Sequence, residues 1–365
     1  MAELELVELP AGTTLDDPMG WVFQTMSEVE SANLLLEHGN DDLAWSPKEL
    51  AVDFNDTAYA GRQAAILVDR ADPRKALGRA WVYCPLSDNT HRISLAVTVH
   101  PELRRRGFGT RLLAWAEEQA RAAGRTVYHA ELSLGPRAAQ GPQTPAPEGG
   151  SVAADTPGLV FAQRHGYGLE QIERMSALPV PLDPQWLSQT EDESARRAGD
   201  YRLLLWVGDV PAPWRAGLAA MWSAFLAEAP TAAMDVEPEI WDEQRVVNMT
   251  RTASEQDTTV LFAVVEHVPT RTLVAGTNLF CPDEAQRGRP SECVFQGFTL
   301  VLPGHRGHGL GRWIKVANLR QLARLYPAVR RVYTWNASEN EHMLAINVEL
   351  GFRAQGCNVA LQKRV

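Results

Sequence analysis

The chain has 365 residues, of which 45% are hydrophobic and 22% charged, with a net charge of -10. That is ordinary globular composition for about two domains, and the acid excess argues against a phosphate-backbone partner, which needs Lys and Arg to displace counterions. Four dispersed cysteines without a CxxC pair signal neither a disulfide framework nor a zinc site, so no metal is expected. No run of apolar residues is long enough to span a membrane and the first residues are acidic, so the chain reads as soluble and cytoplasmic, with no membrane partner.

In chain order, a strand is expected over residues 4–9, helices over 18–37 and 47–60, and strands over 64–69 and 76–84. Residues 91–119 then read HRISLAVTVHPELRRRGFGTRLLAWAEEQ: a β-rich run, a turn opening on proline, an Arg-x-x-Gly-x-Gly segment and an amphipathic helix. A further strand follows from Thr126. Residues 135–158 are low in complexity and predict a mobile loop. The first half closes on a Gly-aromatic pair ending at Tyr167.

The same plan then repeats. Residues 179–200, rich in proline and charge, predict a linker between an N-terminal domain over 1–178 and a C-terminal domain over 201–365. A strand is expected over 201–207, helices over 212–228 and 238–253, and strands over 259–267 and 272–280. Residues 293–322 read CVFQGFTLVLPGHRGHGLGRWIKVANLRQL, which sets Arg306 against Arg104, 202 residues earlier. A period this long indicates duplicated domains of mixed α/β type. Charge is not shared evenly: residues 1–60 carry 13 acids and the single base Lys48. This is either a solvated helical face or a field that attracts a cationic substrate.

A strand, a glycine-rich turn and a helix N-terminus make an anion site, because successive N–H groups converge and the helix dipole favours negative charge. The first candidate cradle comprises Arg104, Arg105, Arg106, Gly107, Phe108, Gly109 and Thr110. The second comprises Arg306, Gly307, His308, Gly309, Leu310, Gly311 and Arg312. A dinucleotide fingerprint is disfavoured, since its third glycine would fall on Leu112 and Ile314, and Glu131, its candidate ribose acid, has Asn336 as counterpart.

These segments resemble the acyl-CoA signature of the GNAT superfamily of N-acetyltransferases. In the second half, TWNASENEHMLAINVELGF also resembles the superfamily's downstream N-x-x-A-x-x-x-Y-x-x-x-G-F stretch. The tandem layout is similar to that of mycothiol synthase and related actinobacterial enzymes. The resemblance implies two α+β domains, each with a mixed, mostly antiparallel sheet splayed at a bulged fourth strand and helices on both faces. It implies acetyl-CoA as acyl donor, its pantetheine arm against Val97 and Val99 or against Leu300, Val301 and Leu302, with Asn336 and Asn340 nearby. It implies a small-molecule primary amine as acceptor.

The family's usual tyrosine, four residues before the final glycine, is replaced by Ala162 and Asn347; the second can still donate a hydrogen bond to sulfur. Counting back eleven from each leading arginine gives Ile93 and Phe295 where some relatives keep a glutamate, and Glu292 is the nearest candidate base. The second half is therefore the expected catalytic copy. The alternative is a non-catalytic CoA-binding or scaffold protein. Residues 234–243, with five acids and Trp241, are either the acidic first turn of a helix opened by Pro238 or a holder for an acceptor with several positive charges.

Overall fold

The computed structural model describes residues 3–283 and 291–365. The first half runs β1 (Leu4–Glu8), α1 (Trp21–His38), α2 (Pro47–Asn55), β2 (Ala60–Asp69), β3 (Asp72–Pro85), β4 (Arg92–Val99), α3 (Phe108–Ala122) and β5 (Val127–Leu134). A small hairpin, β6 (Gln143–Pro145) with β7 (Ser151–Ala153), leads to α4 (Pro157–Arg164) and β8 (Gly168–Pro179). After α5 (Pro184–Arg197) the plan returns as β9 (Tyr201–Val207), α6 (Arg215–Glu228), α7 (Glu243–Glu255), β10 (Thr258–His267) and β11 (Thr272–Pro282). It ends with β12 (Cys293–Val301), α8 (Leu310–Leu325), β13 (Arg331–Ala337), α9 (Glu341–Leu350) and β14 (Arg353–Arg364). Among the described residues no helix is long and apolar enough to cross a membrane.

The two halves share one sheet of twelve strands, ordered β1-β2-β3-β4-β5-β14-β8-β13-β12-β11-β10-β9. The order reads alike from both ends because the halves exchange their last strands. β14 pairs with β5, β8 pairs with β13, and β8 and β14 pair with each other at the centre. All pairings are antiparallel except β4–β5 and β12–β13. Each half packs apolar residues on both faces: in the first, Leu112 and Ala116 of α3 with Tyr128, and Phe23 and Met26 of α1 with Ile66; in the second, Ile314 and Ala317 of α8 with Val265, and Leu218 and Met221 of α6 with Phe262.

Three local expectations are corrected. Residues 135–158 are no open loop: a short 3-10 turn (Pro136–Ala139) and the β6–β7 hairpin occupy them, with Val152 fully buried. The stretch 179–200 contains α5, started by Asp183, whose side chain accepts from the Gln185 N–H at 2.9 Å, and α5 packs on α8. Pro238 opens no helix. α7 begins after Asp242, whose carboxylate accepts from the Arg245 N–H at 2.7 Å, a better start than a proline without a capping side chain.

Candidate active site

Each half opens a splay at its parallel pair. β4 meets β5 at Arg92, Ile93 and Ser94, then runs on to Val99 with β3 as its sole ladder partner. β12 meets β13 at Cys293, Val294 and Phe295, then continues to Val301 against β11. The backbone groups that face the splay past Ser94 and Phe295 are left for a ligand rather than a strand. The expected bulge occurs in the second half alone. β12 spends one extra residue between Gln296 and Thr299, where the Phe298 N–H donates to the buried Asn278 Oδ1 at 3.0 Å. A side chain on Gly297 would lie 2.5 Å from that same oxygen. β4 pairs with β3 without a register shift.

The bulge changes which residues of β4 and β12 correspond when they are counted from the arginines. Matching the parallel ladders sets Ile93 against Val294 and Ser94 against Phe295. It also sets His129 against Tyr333, Glu131 against Trp335, and Leu132 against Asn336. Glu131 and Asn336 are thus not counterparts, because one residue of slip moves a side chain to the opposite face.

At the mouth of each splay the chain turns through a 3-10 segment into a cradle. Gly107 (φ 82°) and Gly309 (φ 73°) cap α3 and α8 in the left-handed region, and a Cβ at either would meet open space. Arg105 (φ 65°) takes the place of Gly307 (φ 83°). The cations differ. Arg104 bonds Asn33 Oδ1, and Asn33 in turn donates to the Val99 carbonyl at 3.2 Å. Arg105 and Arg106 are exposed and have no hydrogen-bond or ion-pair partner among the described residues. Arg306 bonds Glu228 and the Val301 carbonyl, and Arg312 pairs with Glu349 at 3.1 Å. His308 packs on Tyr201, whose hydroxyl meets His305 Nδ1 at 2.9 Å. Both cradles set a left-handed glycine at a helix N-terminus, and the first keeps two unengaged guanidinium groups beside it.

Residues 40–139 match the model of the Acetyltransferase (GNAT) family. Over that stretch the chain is similar to a GNAT acetyltransferase domain. A solved tandem GNAT protein from the clavulanic acid biosynthesis pathway is 20% identical to the chain, with a TM-score of 0.72 over 99% of this chain and 98% of that one. A GCN5-related N-acetyltransferase from Sphaerobacter thermophilus is 16% identical, with a TM-score of 0.61 over 98% and 95%. No curated protein matches in sequence. At these identities the likeness is one of fold: the whole chain has the tandem GNAT architecture, two α+β units on one sheet.

Within that GNAT frame the expected residues are divided. Asn347 and Asn336 meet in the second half, where Asn347 Nδ2 donates to Asn336 Oδ1 at 2.7 Å. Asn347 Oδ1 accepts from Lys315 Nζ at 2.9 Å. Lys315 is almost fully buried, and burial pushes its ammonium down to about 7. Its sequence signal was present: a lysine inside the apolar stripe of α8, between Ile314 and Val316. The first half has Leu113, Ala162 and Leu132 at these three positions. Asn340 caps α9, its Oδ1 accepting from the Met343 N–H at 3.2 Å. Glu292 stands at the closed end of β12, largely exposed and 3.4 Å from Arg331, away from the splay. Leu300 is buried in the core, and the Leu302 N–H bonds Val274. Cys357 is a free thiol whose pKa burial raises to about 11.

The opposite face of the sheet, beneath the helix-linking loops, reverses this polarity. In the second half Phe295, Tyr333 and Trp335 cluster with ring centroids 6.2–6.4 Å apart, Phe295 stacked on Tyr333. Tyr333 donates to Asp42 at 2.9 Å, so the segment joining α1 to α2 closes this face. In the first half the same rows carry Ser94, His129 and Glu131. Ser94 Oγ lies 3.4 Å from His129 Nδ1, and His129 Nε2 lies 3.8 Å from Glu131 Oε1. Burial, with Arg92 adding, drives His129 down to about 4, so its imidazole is neutral. Burial raises the Glu131 carboxyl, with Arg92 opposing, although 58% of its side chain is accessible. The segment joining α6 to α7 bonds Gln362, in register with His129, and the accessible Glu131 lines the cleft beside it. Sequence reasoning missed this row because neither Ser94, His129 nor Glu131 belongs to a motif.

Proposed function

We propose that the protein is an acyl-CoA-dependent N-acyltransferase that moves an acetyl group to a small-molecule amine, and that transfer takes place in the first half. The observation that carries this reading is the polar row Ser94, His129 and Glu131 beside the first splay, where the second half has three clustered rings. The donor's pyrophosphate would sit on the cradle at 104–110, with Arg105 and Arg106 forming charge-assisted bonds. Its pantetheine arm would pair with β4 near Val97 and Val99. An amine entering from the cleft attacks the thioester carbonyl carbon. Glu131 accepts the proton that the nitrogen sheds, and the carbon–sulfur bond breaks. Ala162 offers the leaving thiolate no donor, so that sulfur is protonated from solvent.

A CoA-binding protein without turnover is the second reading, and the second half favours it. There Lys315, through Asn347, places a hydrogen-bond donor and a positive charge at the splay, while Tyr333 and Asp42 close the face an amine would need. Incubation with acetyl-CoA and a panel of primary amines, following free thiol, separates the two. Amine-dependent release that falls ~100-fold in Glu131→Gln, with acetyl-CoA binding retained, is expected. Release at the hydrolysis rate for every amine would overturn the enzyme reading.

A further inference from the structure

We infer that the cleft over the first half takes an acceptor with at least two positive charges, one ammonium reacting at Glu131 and a second held by Glu173 and Glu339. This rests on transfer occurring in the first half.

The exchange of strands builds the cleft. Glu131 lies on β5, in register with Ala360 of β14, which is in register with Gln171 of β8. One row further on, Ser133, Asn358 and Glu173 align across the same three strands. Because side chains alternate across a sheet, both rows project from one face. Glu339, just past β13, accepts from Gln171 Nε2 at 2.7 Å. No single half could assemble these groups.

Two features distinguish this from an ordinary acidic surface. Buried polar atoms face the carboxylates unpaired: His129 (7% exposed) makes no hydrogen bond through Nε2, and Gln362 (4% exposed), in register with it, makes none through its Nε2. Glu339 Oε2 and Asn358 Oδ1 are likewise buried and unbonded. Buried polar groups are ordinarily satisfied, so such a cluster marks a place for a polar ligand. Second, like charges are crowded. Burial raises the Glu173 carboxyl to about 7, and the Glu131 and Glu339 carboxylates add to the rise. A cation between them relieves both effects.

The rim carries further acids, with Asp235 paired to Arg364 at 3.4 Å and Glu239 to Arg245 at 2.7 Å. The segment joining α6 to α7 drapes over the cleft, bonded through the Pro230 carbonyl to Gln171, the Asp235 N–H to Gln362 and both backbone groups of Glu237 to Asn89. It brings Asp235, Glu237 and Glu239, acids that the sequence set apart as a possible cation holder. Arg92 is the opposing charge inside, and burial lowers its pKa. Among the described residues no group of three or more His, Cys, Asp or Glu is arranged for a metal ion; the cation proposed for this cleft is an organic one.

Titration of the full-length protein with putrescine, n-butylamine and 1,4-butanediol, without any CoA, tests this. Putrescine should bind at least ~10-fold more tightly than n-butylamine, and the diol more weakly than either. In Glu173→Gln the preference for the dication should fall to ~2-fold or less, while thermal melting shows the variant folded; Glu339→Gln gives the same readout from a second position. Equal binding of the two amines to the wild type, or a preference unchanged in both folded variants, overturns the inference. Acetyl transfer to monoamines and diamines alike would sink it and leave the enzyme intact. Selective putrescine binding without thiol release would uphold the holding of a dication by Glu173 and Glu339 but sink the reaction at Glu131, and with it the enzyme reading.

Discussion

The two halves are copies in backbone and opposites in polarity. Behind the sheet, the first half places Leu113, Ala162 and Leu132 where the second has the bonded trio Lys315, Asn347 and Asn336. In front, the first half has Ser94, His129 and Glu131 where the second has Phe295, Tyr333 and Trp335. Neither copy keeps polar groups on both sides of its splay. Duplication thus preserved the cradle and the strand order while each copy kept one side of the site. On the proposed reading, the accessible Glu131 makes the first half the side an amine would enter.

Leu113→Lys would break this comparison most severely. It buries an ammonium beside Ala162, which offers no oxygen in place of Asn347, and should cost ~3 kcal/mol or more, read as a lower denaturation midpoint. Lys315→Met sharpens it from the other side. The folded pKa of Lys315, about 7, lies below its ordinary 10.5, so its stability contribution is full above pH 10.5 and falls as pH drops through 7. The variant should lose that slope and, at pH 6, gain stability unless the freed Asn347 costs as much; an unchanged slope between pH 10 and 7 would contradict the assignment.

Glu173 tests the shared centre. Its folded pKa of about 7 exceeds the ordinary 4.5, so stability is full below pH 4.5 and declines as pH rises through 7. Glu173→Gln should therefore melt higher than the wild type at pH 8, by ~2 kcal/mol, and show no advantage at pH 4. Arg105→Glu with Arg106→Glu should weaken acetyl-CoA binding ~10-fold by titration, without a change in melting temperature, since neither side chain has a partner to lose. The smallest effect is expected for Asp42→Asn, which keeps a hydrogen-bond acceptor for Tyr333 but loses the ion pair with Arg331 at 2.8 Å; ~1 kcal/mol by denaturation is expected.

Much of the frame was legible in the sequence, because local signals specify it. The repeated Arg-x-x-Gly-x-Gly turns gave the duplication and both cradles, and alternating apolar runs gave the strands. Strand exchange was not legible: β8 and β14 are apolar alternations that could pair with either sheet, and partner choice leaves no local mark. Nor was the bulge at Gly297, and because of that single extra residue, counting back from the arginines sets Phe295, not Val294, against Ile93. Glu292 was chosen by nearness in sequence to the fourth strand, yet it lies at the closed end. The polar row of the first half escaped because Ser94, His129 and Glu131 sit on two strands and converge through parallel pairing alone.

Gly107 and Gly309 provide a matched test of where transfer happens, since each caps its helix at a left-handed φ with open space beyond. Glutamate at either position should repel a pyrophosphate at that cradle with similar backbone strain. Thiol release from acetyl-CoA in the presence of putrescine should be lost in Gly107→Glu and persist in Gly309→Glu. Loss in Gly309→Glu with full activity in Gly107→Glu would contradict the account.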